Sequence, residues 1–300
     1  MQNWSGKSKG GLFGYSFFIF LIKYTHIRVA YFFLKIVAFY FLFFSDKHSI
    51  KYYFREIHGL KGFRVLKSIY DNYCMLGEIL IDKMYFMFGY KNNFTFDYEG
   101  ESHLLSMSNN GHGGMLIGAH MGNWEIAGNL LERVGCNINI VIVEAEHEKI
   151  KSLLKNSRIS KKINIIPIKD DFSHLFKISS AFENNELVVM HGDRFIGEAN
   201  TVVVDFMGKP AKFPTGPLYI ASKHKVPVSF VYTLKEKPSH YHFYATSPKI
   251  FEYPSNLKTR QKDMKHMVGL YVSSLENIVK KYPNQWFNYY PFWEEEKNKL

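Results

Sequence analysis

Cysteine is nearly absent from this 300-residue chain; Cys74 and Cys136 are its only two. Two scattered thiols build neither a disulfide framework nor a Cys-rich zinc site, and they suit a reducing compartment. Apolar runs are long but never reach the roughly 20 uninterrupted residues of a clean membrane-spanning helix. The one G-x-S-x-G match, Gly6 to Gly10, lies in the basic start of the chain with no strand before it and so makes no nucleophile elbow; H-E-x-x-H, a Walker loop and G-x-G-x-x-G are absent. The usual marks of serine hydrolases, zinc peptidases and dinucleotide binders are therefore missing. Internal repeats and low-complexity tracts are missing too. No metal and no cofactor is assigned.

What is present argues for a folded chain. Apolar residues make up 46% and charged residues 22%, which excludes a disordered or collagen-like protein. The length suits one large core. Aromatic content is high at 17%, and much of it falls in the first fifty residues.

Charge follows the same gradient. Residues 1–70 hold eleven basic groups against Asp46 and Glu56, so they carry +9 of the net +11. The basic groups interleave with the runs Gly11 to Ile22 and Ile36 to Phe44, broken by Lys23, Arg28 and Lys35. A cationic, aromatic helix suits the headgroup layer of a membrane, where each basic group adds on the order of 1 kcal/mol against anionic lipid. An ordinary amphipathic core helix is the other reading. No small-residue cleavage site follows the run, so a secretory signal is not expected. Nucleic acid is not expected either, because no zinc-finger spacing or RNP-like motif accompanies the charge. Residues 1–45 are read as a membrane-associating segment and 46–300 as one globular domain.

Beyond a helix predicted over 71–88, strands and helices alternate. Short β-branched runs predict strands over 115–119, 138–143, 163–168, 186–190, 201–206, 226–232 and 240–246. Helices are predicted over 124–134, 146–158, 172–183 and 216–225, with a longer one from about 257 to 282 that ends before Pro283. Alternation of this kind means an α/β fold: a central, mostly parallel or mixed sheet with helices on both faces.

The stretch from Gly113 to Gly135 carries the most chemistry. An apolar strand ends at His120, Met121-Gly122 makes a tight turn, and Asn123 stands where a helix N-cap belongs. His120 is thus at the carboxyl end of a strand, where open α/β sheets place ligands. Glu125 falls in the first turn of the next helix. Across a strand–turn–helix junction the two side chains can meet. A neutral histidine takes a proton from a hydroxyl, and a carboxylate on its far nitrogen fixes the tautomer and stabilises the imidazolium. Spacing alone leaves a plainer reading open: Glu125 is favourable in any first helical turn, and His120 could cap a backbone group.

HMGNWE, His120 to Glu125, resembles the H-x-x-x-x-D/E box of glycerolipid acyltransferases. GAHMGNWEIAG around it is similar to the late acyltransferases of lipid A synthesis, the lauroyl/myristoyl acyltransferase family, within the lysophospholipid acyltransferase-like superfamily. The resemblance extends through LLKNSR (Arg158), MHGDRF (Asp193), DFMGKPAKFPTGPLYIASKHKVPV and YPNQWFNYYPFW.

The resemblance implies a bacterial enzyme on the cytoplasmic face of the inner membrane. It would move a fatty acyl chain from an acyl carrier protein thioester to a hydroxyl of a lipid A precursor or related membrane lipid. His120 would be the general base, Glu125 its partner, and Arg158 a group at the acceptor phosphate or the oxyanion. Backbone N–H groups near Gly122 are the other candidates for the oxyanion. Gly122, Asn123, Asp193, Arg194, Phe213 and Gly216 would line the substrate. Plainer readings stand beside these. Arg158 complements a helix C-terminus, Asp193 and Arg194 form a local ion pair, Phe213 to Pro217 turn into a helix, and Trp286 and Trp293 pack. Arg194 and the FPTGP segment depart from the commoner enzymes, which leaves open a lysophospholipid, aminolipid or pigment acceptor. Coenzyme A as donor and a non-catalytic lipid-binding protein are the remaining alternatives.

Overall fold

The computed structural model describes residues 12–87, 89, 90, 94–124, 126, 134–143, 163–169, 171–195 and 199–297. The chain opens with α1 (Leu12–Tyr24) and α2 (Ile27–Phe44). Thr25 closes α1 by donating its hydroxyl to Leu21 O at 2.7 Å. His26 caps α2, its Nδ1 accepting from Arg28 N at 3.3 Å. Along α2, the residues Ile27, Ala30, Tyr31, Leu34 and Ala38 are buried. That spacing defines one helical face. The opposite face leaves Phe32, Phe39, Tyr40, Phe43 and Phe44 exposed.

The buried face of α2 lies on α4 (Phe63–Met87), a 25-residue helix reached through α3 (His48–Tyr52) and a single π-helical segment, Tyr53–Ile57. Gly77 sets the approach, because a Cβ there would collide with Leu34 Cδ1. The helix predicted over 71–88 thus begins eight residues earlier. Its first turns lean on neighbouring segments, which a window reading does not see.

The sheet has seven strands. In chain order they are β1 (Thr95–Glu99), β2 (Gly114–Gly118), β3 (Ile138–Val143), β4 (Ile163–Ile168), β5 (Leu187–His191), β8 (Val228–Lys237) and β9 (His240–Ala245). Their spatial order is β1-β9-β8-β2-β5-β3-β4. From β8 to β4 all neighbours are parallel, whereas β9 runs antiparallel to β8 and β1 pairs parallel with β9. The expected α/β class with a mostly parallel, mixed sheet holds. Strand β1 and helix α5 (Glu101–Asn109) were not predicted; TFDYE carries charged residues along its exposed face, as an edge strand does.

Residues 201–206 do not join this sheet. They form β6 (Thr201–Phe206), which pairs antiparallel with β7 (Lys209–Pro214) in a separate hairpin. Met207 and Gly208, both at positive φ, make its two-residue turn. Pairing with β7 consumes the backbone groups of β6, so periodicity found the strand but not its partner.

Alternation along the strands feeds two cores. Met115 and Ile117 of β2 and Val188 of β5 join Met267, Val268, Tyr271 and Leu275 of α8 (Arg260–Lys281). Leu116, Leu187 and Val189 point the other way, toward Leu104 and Met107 of α5. Two further helices, α6 (Ser173–Glu183) and α7 (Gly216–His224), follow the predicted spans within a residue. The C-terminal segment returns through a 3₁₀ turn, Pro283–Gln285, to lay Trp286 and Trp293 into the first core before the short α9 (Glu294–Lys297). The helix predicted over 146–158 lies outside the described residues, as does most of the one over 124–134.

Candidate active site

Strands β2 and β5 are neighbours, with Gly118 opposite His191. Two residues past each strand end stand His120 and Asp193. Parallel register brings these side chains level although 73 positions separate them. The chain leaves β2 toward β3 on one side and β5 toward β8 on the other, and such a reversal opens a crevice at the carboxyl edge of a sheet.

Asp193 is fully buried and accepts three hydrogen bonds. His120 Nδ1–H donates to Oδ1 at 2.8 Å, the His120 backbone N–H to Oδ2 at 3.0 Å, and the Trp286 indole N–H to Oδ2 at 3.3 Å. Burial by itself would raise this carboxyl, but the charge and hydrogen bond of His120 outweigh it. With Arg194 and His191 adding, they hold Asp193 below the usual carboxylate range. An ionised carboxylate only accepts, so Nδ1 of His120 carries a proton, and in the neutral ring Nε2 presents the lone pair. The His120 side chain keeps 21% of its surface exposed while Asp193 keeps none. A reactant therefore reaches the imidazole and not the acid.

A second imidazole completes the cluster. His191 Nδ1 lies 3.4 Å from His120 Nε2, and the two rings meet at 65° with centroids 4.3 Å apart. The Trp124 ring stands edge-on to His191, with centroids 5.3 Å apart. Loss of water around His191, together with the neighbouring His120, pushes its pKa down to about 3, so it is neutral at physiological pH.

The turn after His120 is held from beneath. Gly122 has φ +59°, and a Cβ there would strike Thr233 O. Its N–H donates to Gln285 O at 2.9 Å, and the Asn123 N–H donates to Thr233 O at 2.8 Å. The Met121 N–H is directed at Ala119 O at 2.7 Å. This corrects the expectation that these amides hold an oxyanion, since their donors are spent on strand-end pairing with β8 and the Trp286 segment.

Asn123 does cap the next helix, its Oδ1 accepting from Ile126 N at 3.4 Å. Its amide N–H₂ faces Ile79 O and Tyr241 Oη inside the protein. Fully buried, it anchors the turn and does not face a substrate. Phe213 is corrected in the same way. It is completely buried among Phe206, Tyr271 and Phe292, because Ala211 and Phe213 of β7 point into the core. Gly216 opens α7 beyond the hairpin. Arg194 donates from Nη2 to Phe287 O at 2.5 Å and lies over the Tyr290 ring. Glu125 and Arg158 lie outside the described residues.

A profile for the family described as "Bacterial lipid A biosynthesis acyltransferase" matches residues 10–294. The chain belongs to that family. It is also similar to a phosphatidylinositol mannoside acyltransferase of Mycobacterium tuberculosis, strain ATCC 25618 / H37Rv, 28% identical over 123 residues. The match covers 41% of this chain and 39% of the relative. Among solved structures, the 1-acyl-sn-glycerophosphate (LPA) acyltransferase PlsC from Thermotoga maritima aligns with a TM-score of 0.35 at 12% identity. That alignment covers 84% of this chain and 98% of the other.

In this member of the bacterial lipid A biosynthesis acyltransferase family, a buried charge cluster supports the turn from the side of α2 and α4. Lys235 Nζ donates to Asp82 Oδ2 at 2.8 Å and to Tyr31 Oη at 3.0 Å, and lies 3.0 Å from Glu78 Oε2. Tyr31 and Tyr241 both donate to Asp82. Tyr241 in turn accepts from Asn123 at 3.2 Å, so the cluster reaches from the first helices to the residue that caps the turn. Sequence reasoning missed His191, Trp286, Asp82 and Lys235 as parts of this assembly. For His191 a signal existed, a polar ring closing the apolar run LVVMH; for Asp82 and Lys235 it was a charge inside otherwise apolar spacing.

Proposed function

We propose that this protein transfers a fatty acyl chain from a thioester donor, an acyl carrier protein, to a hydroxyl of a lipid A precursor or related membrane lipid. The single observation that carries the reading is the His120–Asp193 pair at the carboxyl edge of the sheet, with the imidazole still partly accessible. The imidazole takes the acceptor's hydroxyl proton, the oxygen attacks the thioester carbonyl, and the C–S bond breaks as the tetrahedral intermediate collapses. The proton then passes from His120 to the leaving sulfur. No acyl-enzyme forms. Asp193 takes the orienting role that the sequence box gives to a carboxylate. Glu125 is kept as a partner of the base alongside Asp193, and Arg158 as the group at the acceptor phosphate or the oxyanion.

The exposed aromatics of α2 support delivery of the site to a bilayer. Among the described residues, Ile27–Phe44 is the one helix long and apolar enough to cross a membrane. Most of it lies outside the core, and the basic residues around it suit an anionic leaflet. We assign residues 1–45 to that role, at the cytoplasmic face of the inner membrane. The positive charge also suits an acidic carrier protein as donor.

The test uses a dodecanoyl–acyl carrier protein thioester, with lipid extracted from cells lacking this protein as acceptor. The wild type is expected to release thiol and to add one acyl chain to one lipid, read by mass spectrometry. His120→Ala, folded as judged by its melting curve, is expected to lose at least about a hundredfold in kcat. Full turnover by that variant would remove the base from the mechanism. An extract whose lipids all keep their acyl count would favour a binding protein instead.

A further inference from the structure

We propose that His191 is a positioning residue for the general base: its Nδ1–H holds the Nε2 lone pair of His120 until an acceptor hydroxyl takes that place. The inference rests on the acyl-transfer reading above and adds a residue to it.

Two bonds fix the tautomers of the pair. His120 Nδ1–H donates to Asp193 at 2.8 Å, so in the neutral ring, the form that acts as a base, His120 Nε2 carries no proton. Among the described residues the nitrogen that faces it is His191 Nδ1, at 3.4 Å. For these two nitrogens to bond, the proton must sit on His191 Nδ1. At 3.4 Å the bond is long and therefore weak. That suits a contact which a hydroxyl displaces.

The surroundings hold His191 in this pose. Trp124 stands edge-on to its ring. Gly118 lies behind it, and a Cβ there would come to 3.4 Å from His191 Cδ2. His120 is thus secured at both ring nitrogens, which fixes the lone pair's direction. A ring tied only at Nδ1 still swings about that bond, and a displacement near 1 Å at a reacting atom costs up to about a hundredfold in rate.

The contact also has a consequence for the second half of the reaction. When the acceptor O–H bond breaks and the His120 Nε2–H bond forms, a return of His191 to its contact would set two N–H groups against each other. That arrangement is repulsive. It favours passing the proton onward to the sulfur freed when the C–S bond breaks, and it regenerates the neutral pair. Every proton in this cycle comes from the acceptor and ends on the thiol.

Two measurements on the full-length protein in detergent micelles test the inference. The first is long-range ¹H–¹⁵N correlation on histidine-labelled protein at neutral pH, with His191→Asn and His120→Gln assigning the signals. Expected is the Nδ1–H form for both rings. An Nε2–H form of His191 overturns the inference whether or not any substrate turns over.

The second is turnover with the dodecanoyl–acyl carrier protein thioester and the deletion-strain lipid extract. His191→Phe keeps a ring against Trp124 but offers no N–H; it is expected to lose about tenfold in kcat with KM within about twofold. His191→Asn places an amide N–H near the same point and is expected to stay within about threefold of the wild type. His191→Phe turning over like the wild type, or His191→Asn falling as far as His191→Phe at equal melting temperature, overturns the inference. If His120→Ala is inactive in the same assay, the acyl-transfer reading survives that result. If His120→Ala is active, that reading itself has failed.

Discussion

At the scale of single residues, the site turns on which atom of His120 is occupied. Asp193 takes Nδ1 and is held ionised, so hydrogen bonding fixes the tautomer of the neutral ring with its lone pair at Nε2. Asp193→Asn removes the charge that would stabilise an imidazolium while leaving an acceptor of similar shape. It is expected to lower kcat by about 10² to 10⁴-fold with KM little changed, measured by thiol release. The six-residue box predicts Glu125 as the partner of the base, and that residue lies outside the described ones. Asp193 was legible only as an acidic position. The bond that joins it to His120 could not be read, because neither residue's neighbours in sequence say which strands lie side by side.

At the scale of elements, α2 serves two surfaces. Its inner face carries Tyr31 to the Asp82–Lys235 cluster, and its outer face leaves aromatic rings uncovered. The cluster is buried, and removing one member strands the rest. Asp82→Ala leaves the Lys235 ammonium with Glu78 alone and is expected to cost about 3 kcal/mol of stability by chemical denaturation. Adding Lys235→Met is expected to recover much of that loss, a non-additivity that a double-mutant cycle reads directly. The outer face is tested by Phe32→Ser, Phe39→Ser and Phe43→Ser combined. These rings are 62%, 57% and 60% exposed. Their replacement is expected to leave the melting temperature within a few degrees while weakening sedimentation with anionic phospholipid vesicles by at least about tenfold. The spacing 27, 30, 31, 34, 38 was visible in the sequence. Which face α4 covers was not, since both faces of α2 are apolar.

For the whole molecule, acid is the direction of weakness. His191 has a folded pKa of about 3 against an ordinary imidazole value near 6.5. The unfolded chain therefore binds a proton that the folded chain refuses. Its contribution to stability is complete above about pH 6.5 and is lost as pH falls toward 3. Asp193 acts in the same sense at lower pH: its depressed folded value gives stability that is present above the usual carboxylate range and lost as acid protonates it. Denaturation midpoints measured from pH 7 to pH 4 are expected to fall. His191→Asn is expected to flatten the upper part of that decline, and an unchanged slope would remove His191 as its source.

The sequence by itself determined most of the strands and helices, the turn at Met121-Gly122, the cap at Asn123 and the basic, aromatic start of the chain. Each of these depends on residues within a few positions of one another, where side-chain period and backbone preference act directly. Only the tertiary structure decided that β2 and β5 adjoin, which sets Asp193 and His191 against the two nitrogens of His120. It also spent the Gly122 and Asn123 amides on distant carbonyls and turned Phe213 into the core. Those outcomes follow from strand order and register, which are fixed by the packing of two cores against one sheet and leave no mark in any short stretch of chain.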